Sequence, residues 1–193
     1  MFKKILVGIG VILCGFIAFI WWGSTLPPQE DGGSAEMVLN SFTPSDTQNF
    51  TADYGNFSIY FQGTPLYKET QIPRVTGETF PGHMYQYVAA DSSVWQILYS
   101  QYPEDMKLLD TRNQLTLTVN SMMEAIGAEM RSSSAIIYQG YPAIDFVLYL
   151  PSEGYYYKGR NVLNGRELYS MGYIYDEGGA LPLDEFFNSL KIN

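Results

Sequence analysis

The sequence predicts an α+β protein: an N-terminal transmembrane helix, then an antiparallel β-sheet domain with helices packed on it. Three observations predict this. Residues 5–22 form an 18-residue run with no charge and no strongly polar side chain. From residue 54 onward, short runs alternate apolar and polar residues and are joined by turn residues, the period-2 pattern of hairpins. Helical spacing recurs in a long segment near 111–126 and a short one near 182–190. Strands grouped as hairpins, without β-α-β crossovers, give an antiparallel sheet. No repeat of 20–50 residues points to a solenoid or a propeller.

The apolar run sets the organisation of the chain. As a helix it reaches about 27 Å, close to the hydrocarbon thickness of a bilayer. Lys3 and Lys4 precede it and Trp21-Trp22 closes it. Lysines prefer the cytoplasmic side and Trp the membrane–water interface, so Met1 is expected inside and everything after Trp22 outside. A cleaved secretory signal has a shorter apolar core and a small-residue exit. A lipoprotein signal would end at its cysteine, whereas here Leu13 precedes Cys14 and apolar sequence continues to Trp22. The expected organisation is a signal anchor over 1–23, a tether over 24–53 and an extracytoplasmic domain over 54–193.

Charge is uneven along the chain. The net charge is −9, and Lys3 and Lys4 are the only charges in residues 1–28, so the outer part stands at −11. That balance argues against nucleic acid and against simple attraction to anionic lipid, and suits a solvated acidic surface. Cys14, in the apolar run, is the only cysteine, so the outer domain has no internal disulfide.

Taken in order, residues 23–51 have tether composition, with Pro27-Pro28 and Asp31-Gly32-Gly33-Ser34. Met37-Val38-Leu39 suggests a helical turn. Asn49-Phe50-Thr51 and Asn56-Phe57-Ser58 match the glycosylation acceptor pattern, with coincidence as the default reading. Phe57, Ile59 and Phe61 alternate as a strand, and Gly63-Thr64-Pro65 turns the chain. Residues 66–72, held between Pro65 and Pro73, read as an edge strand. Residues 84–90 and 94–102 form a hairpin about Ala90-Asp91-Ser92-Ser93. Trp95, Ile97 and Tyr99 fall on one face of the second strand, and Val94, Leu98 and Tyr102 on the other, so that strand should be central.

Thr111 and Gln114 have capping-box spacing at the start of a helix. Leu108, Leu115, Val119, Met122 and Ile126 form its apolar stripe, and Gly127 is its stop. Met122-Met123 reads as core packing rather than as metal or haem ligation. Residues 130–138 and 143–150 follow, joined by Gln139-Gly140-Tyr141-Pro142. Residues 155–163 and 166–175 flank Asn164-Gly165, expected to form a type I′ turn. Asp176-Glu177-Gly178-Gly179 breaks the run. A last helix begins at Pro182 and Asp184-Glu185 and ends at Leu190, with Phe186, Phe187 and Leu190 on its apolar side.

Several of these segments resemble a known family. They are Phe57-Ser58-Ile59-Tyr60-Phe61 with Gly63 and Pro65, Gly140-Tyr141-Pro142-Ala143-Ile144-Asp145-Phe146, Asn164-Gly165-Arg166-Glu167-Leu168-Tyr169, and Phe186-Phe187-Asn188-Ser189-Leu190-Lys191-Ile192. Their order resembles bacterial envelope domains of the PsbP/Mog1-like superfamily over about residues 54–193. The resemblance implies an antiparallel sheet with helices on its faces, serving as a binding or assembly scaffold. Neither the photosynthetic extrinsic subunits nor the small-GTPase binders of that superfamily lend a site motif to this chain.

Motifs for chemistry are sparse. His83 is the only histidine, and reads as a surface or strand-edge residue. Without cysteine beside it, a His/Cys zinc site cannot be built. No nucleophile elbow, phosphate loop or dinucleotide fingerprint is present. Asp176-Glu177 and Asp184-Glu185 lack the ligand spacing of a calcium loop. No catalytic residue, metal or cofactor is assigned. The unusual outer stretch is Tyr155-Tyr156-Tyr157-Lys158 with Arg160, where tyrosines beside cations could grip a protein or stack on sugars. A half-buried sheet explains the same tyrosines without a ligand. The expected function is a membrane-anchored, non-enzymatic domain that binds a protein or assembles a complex outside the cytoplasmic membrane. The alternative is a glycan, cell-wall or small-ligand binder using the tyrosine-rich sheet, and third comes a carboxylate-dependent hydrolase.

Overall fold

A computed structural model describes residues 48–74, 77–89, 93–176 and 183–193. The expected anchor over 5–22, the turn at 37–39, most of the turn at 90–93 and the start of the last helix before 183 lie outside the described residues. Among the described residues no helix is long and apolar enough to cross a membrane.

Twelve elements are described: β1 (Gln48–Thr51), β2 (Phe57–Phe61), β3 (Leu66–Pro73), β4 (Thr79–Val88), β5 (Val94–Gln101), α1 (Thr111–Ile126), β6 (Glu129–Tyr138), β7 (Tyr141–Leu150), β8 (Tyr155–Asn164), β9 (Glu167–Asp176), α2 (Leu183–Ser189) and β10 (Lys191–Ile192). Seven strands form a sheet in the order β3-β4-β5-β9-β8-β7-β6, and β1-β2-β10 form a smaller one. Every pairing is antiparallel.

The large sheet is covered on both faces, which explains why its central strands are apolar on both sides. One face meets the small sheet and α2, around Phe57, Ile59, Phe61, Trp95, Ile97, Phe186 and Leu190. The other face meets α1, whose Leu115 and Val119 are buried and whose Met122 and Met123 pack against the same core. α1 lies over β6, β7 and β8. β5 sits between β4 and β9 and feeds both cores: Trp95, Ile97 and Tyr99 enter one, while Val94 and Leu98, with Tyr102 just past the strand's end, enter the other. The edge position of β3 and the central position of β5 both agree with the sequence pattern.

Several boundaries differ. The tether was expected to reach residue 53, yet Gln48–Thr51 is a strand paired along β2. Phe50 holds it there, 4.9 Å from the Tyr85 ring and 6.0 Å from Phe61. The cap of α1 is Asp110 rather than Thr111: its carboxylate accepts from the Asn113 backbone N–H at 3.2 Å, while the Gln114 side chain reaches back to the Leu109 N–H at 3.3 Å. β4 begins at Thr79, before the expected residue 84, and includes Pro81. β4 pairs with β5 only from Gly82 onward, so Pro81 has one unpaired side and its missing N–H is tolerated. The β8–β9 turn is one residue later than expected. Asn164 pairs with Glu167, and Gly165-Arg166 make the turn, with positive φ at Gly165 (59°) only. That is the requirement of a type II′ turn rather than type I′. The β6–β7 turn does hold positive φ at both central residues, Gln139 (51°) and Gly140 (88°).

Candidate binding surface

Strand register places three tyrosines in one row. Tyr149 of β7 stands opposite Tyr156 of β8, and Tyr156 opposite Tyr175 of β9. The rings follow: Tyr149–Tyr156 centroids are 5.0 Å apart, and Tyr156–Tyr175 are stacked at 5.6 Å. The row continues inward through Tyr173, stacked 5.4 Å from Tyr175, to Trp95, 4.7 Å from Tyr173. Trp95 and Tyr173 are buried; Tyr175, Tyr156 and Tyr149 are half-buried. The ladder thus leaves the core and emerges at the sheet surface.

Cations flank it. A bulge between Met130 and Ser132 shifts the register of β6, and the Arg131 guanidinium lies 4.7 Å over the Tyr149 ring. Such a contact is electrostatically attractive. Lys158, next along β8 on the same face, has its ammonium 5.5 Å from the Phe187 ring and 3.9 Å from Asp184. Burial, with Tyr156 and Tyr173 beside it, raises the Tyr175 phenol above its ordinary range. The Tyr175 hydroxyl thus stays protonated on a face flanked by Arg131 and Lys158.

The expected site residues divide between the two faces. Tyr156 and Lys158 belong to the ladder face. Tyr155 is exposed at the start of β8, on the opposite face. Tyr157 corrects the expectation of an accessible run: it is buried in the α1-side core, its hydroxyl accepts from the Gln96 amide at 3.3 Å, and it lies over Gly172, where a Cβ would collide with its ring. Burial pushes its phenol well up. Arg160 corrects it too. Its Nε and Nη2 donate to the two Asp145 oxygens at 2.6 and 2.8 Å, its Nη1 donates to the Phe187 carbonyl at 2.9 Å, and Tyr138 lies beneath it at 4.8 Å. It pins α2 to β7 and β8, so its guanidinium is already engaged within the fold.

Tyr149, Tyr175 and Arg131 join the surface without having been singled out in the sequence. Register was the available signal. A turn centred on Asn164-Gly165 would set Tyr156 opposite Tyr173, whereas the actual turn sets it opposite Tyr175.

A second aromatic cluster surrounds His83 on β4. Its ring is stacked 4.0 Å from Tyr54, and Nδ1 is 3.0 Å from the Tyr67 hydroxyl. His83 is half-buried and one strand in from the edge. Next to it Glu167 accepts from Tyr99 at 3.0 Å, from Tyr169 at 3.3 Å and from Asn164 at 3.2 Å. Those donors hold this carboxylate as a structural acceptor. Among the described residues no group of three or more His, Cys, Asp and Glu is placed to hold a metal ion.

No family model matches the chain, and no curated protein matches it. A solved structure does: cyanobacterial PsbP (CyanoP) from Synechocystis sp. PCC 6803, at 11% identity and a TM-score of 0.54, with 76% of this chain and 92% of that one covered. At that identity the likeness concerns the fold, and the chain has a PsbP-like antiparallel sheet domain with a few helices, as the sequence resemblance implied.

Proposed function

We propose that this chain is a non-enzymatic binding or complex-assembly domain, held by residues 5–22 in the cytoplasmic membrane with its folded part on the outer face. The observation that carries the reading is the tyrosine ladder, which runs out of the core to a half-buried surface between Arg131 and Lys158. Tyr and Arg are enriched among the residues that anchor protein interfaces: Tyr brings a large, rigid ring with a polar tip, and Arg a planar, multiply donating cation. The PsbP-like fold is compatible with such a role. The partner is a protein of the membrane or envelope; the net charge argues against nucleic acid.

Glycan or cell-wall binding through the same tyrosines is the second reading. The ring geometry favours the first. Tyr156 and Tyr175 stand nearly parallel across adjacent strands, so each turns a ring face toward its neighbour that a sugar would need. A carboxylate-dependent hydrolase is third.

Crosslinking in native membranes followed by pull-down tests the order. A stoichiometric protein partner lost on Tyr156→Ala supports the assembly role. Retention on peptidoglycan without a protein partner supports the second reading, and turnover abolished by one carboxylate change overturns both. A reporter fused after Asn193 should be active only on the outer face. A mature protein lacking residues 1–22 would sink the anchor.

A further inference from the structure

The face of the large sheet that meets α1 is buried further than its described cover reaches. α1 makes its main packing contacts with β6, β7 and β8. Residues 102–110 close the far end of β5 and β9, where Arg166 holds the Pro103 and Met106 carbonyls and Arg74 holds Asp105. α2 and the small sheet lie on the opposite face. Yet on the α1 side of β4 and β5, Met84 is 4% exposed, Gln86 5% and Gln96 2%. At the outer margin of the same face, Leu66 and Val88 are 67% and 55% exposed. The buried strip is about as wide as one helix, and among the described residues no helix is packed over it. Spacing gives its place. Packed helices lie about 8–10 Å apart and strands about 4.8 Å apart. A helix beside α1, which is centred on β7, therefore falls over β9, with β5 next to it.

We infer that residues 34–42 form this second helix and dock on the α1-side face of β9 and β5. The short stretches outside the described residues cannot supply it: 75–76 and 90–92 join neighbouring strands, and 177–182 lead to α2 on the other face. That leaves residues 1–47. Within them Ala35, Val38, Leu39 and Phe42 recur at i, i+3, i+4 and i+7, a single apolar stripe, with Glu36, Asn40 and Ser41 off it. Ser34 precedes the stripe as a cap, and Pro44 follows it as a stop. The run 5–22 is apolar all round, which suits a bilayer better than a cover with one side in water. Length agrees as well. Nine helical residues rise about 13 Å, the span of about four strand residues. From Phe42 to Gln48, whose strand lies on the opposite face, six steps of extended chain reach about 20 Å, the sum of two layer spacings of about 10 Å. Gln86 Oε1 is buried without a partner among the described residues, and Ser41, at the margin of the stripe, has a hydroxyl to donate. One consequence rests on the anchor proposed above: docking leaves only residues 23–33 as the free link to the bilayer, about 18 Å on average. The ladder, on the other side of the sheet, stays uncovered.

The test uses the full chain in membranes. A nine-residue helix is marginal on its own, so protection of its amides reports docking. Hydrogen exchange at 36–42 should be at least tenfold slower than at 24–31 in the unmutated protein. In a Cys14→Ser background, Met84→Cys should react slowly with a water-soluble maleimide. Adding Leu39→Asp should speed that reaction at least tenfold, and Asn40→Asp, with the same charge off the stripe, should not. Ile97→Cys on the opposite face should stay protected in Leu39→Asp; should it open too, the exchange of the unmutated chain decides alone. Loss of the anchor moves none of these readouts, which separates this inference from the membrane reading. Equal exchange at 36–42 and 24–31 overturns it. So does a Met84→Cys thiol that reacts fast from the start, or one that ignores Leu39→Asp. A thiol opened by Val11→Asp and not by Leu39→Asp would put the apolar run there instead.

Discussion

Arg160 has all three guanidinium nitrogens engaged, with Asp145, the Phe187 carbonyl and the Asn188 side chain. Removing it leaves the Asp145 carboxylate and a helix-end carbonyl without a donor. Arg160→Ala should therefore cost about 2–3 kcal/mol in urea unfolding. Arg160→Lys should recover less than half of that, because an ammonium cannot reproduce the fork. Full recovery would mean that charge alone matters there. Tyr99 supplies a pH signature. Burial, with the bond to Glu167 second, pushes its phenol up to about 12 from the ordinary 10.0. Above pH 10 the unfolded chain loses a proton that the native state keeps, so stability falls as pH rises. The contribution is complete below pH 10 and gone by about pH 12. Burial also raises Tyr157 and Tyr169, which steepens the loss. Unfolding free energy measured from pH 8.5 to 11.5 should decline, and less steeply in Tyr99→Phe. An unchanged slope in that variant would remove Tyr99 from the account. These roles explain why the candidate site was only partly readable from sequence. A Tyr-Lys-Arg run shows which side chains alternate, but Tyr157 and Arg160 take their roles from Gln96, Gly172, Asp145 and Phe187, all distant along the chain.

α1 shows which local features do survive without context. Gly127 adopts a left-handed conformation (φ 64°), its N–H reaching the Glu124 carbonyl and the Ala128 N–H reaching the Met123 carbonyl at 3.0 Å. That paired closure is a requirement of a few adjacent residues, so the glycine alone announced it. Nothing lies within 4 Å of where a Cβ would sit. Gly127→Ala should then cost only the backbone term, about 1 kcal/mol, and Gly127→Asn less. Calorimetric or urea unfolding checks it, and a stabilising Gly127→Ala would contradict the cap. The start of α1 was harder to place because Asp110 and Thr111 are both good caps. The Asn113 backbone N–H, which donates to the Asp110 carboxylate, and the Gln114 side chain, which accepts from the Leu109 N–H, decide between them. Asn164-Gly165 posed the same kind of choice. Both residues tolerate positive φ, and the pairing of Asn164 with Glu167 moved the turn by one position and the facing register by two. That shift chose Tyr175 as the neighbour of Tyr156.

The layers depend on pairings between segments far apart in the chain. β2 lies between β1, a few residues before it, and β10 at the C-terminus, and Asn56 and Asn193 exchange two hydrogen bonds at 2.8 and 3.0 Å. A four-residue and a two-residue strand are too short to show a period, so composition assigned the first to a tether and left the second unmarked. Their value is in cover: with α2 they close one face of the large sheet, where Phe57, Ile59, Phe186 and Leu190 are fully buried. The folded domain therefore includes Gln48–Thr51. A chain beginning at residue 54 keeps β2 but loses its β1 neighbour and the Phe50 ring packed against Tyr85 and Phe61. Compared with a chain beginning at residue 48, it should be less stable by about 2–4 kcal/mol, the usual cost of losing a partly buried aromatic together with a strand pairing. Urea unfolding of the two chains decides it. The shorter one should also expose β2 as a new outer strand and aggregate at lower concentration. Equal midpoints and equal solubility would return residues 48–53 to the tether.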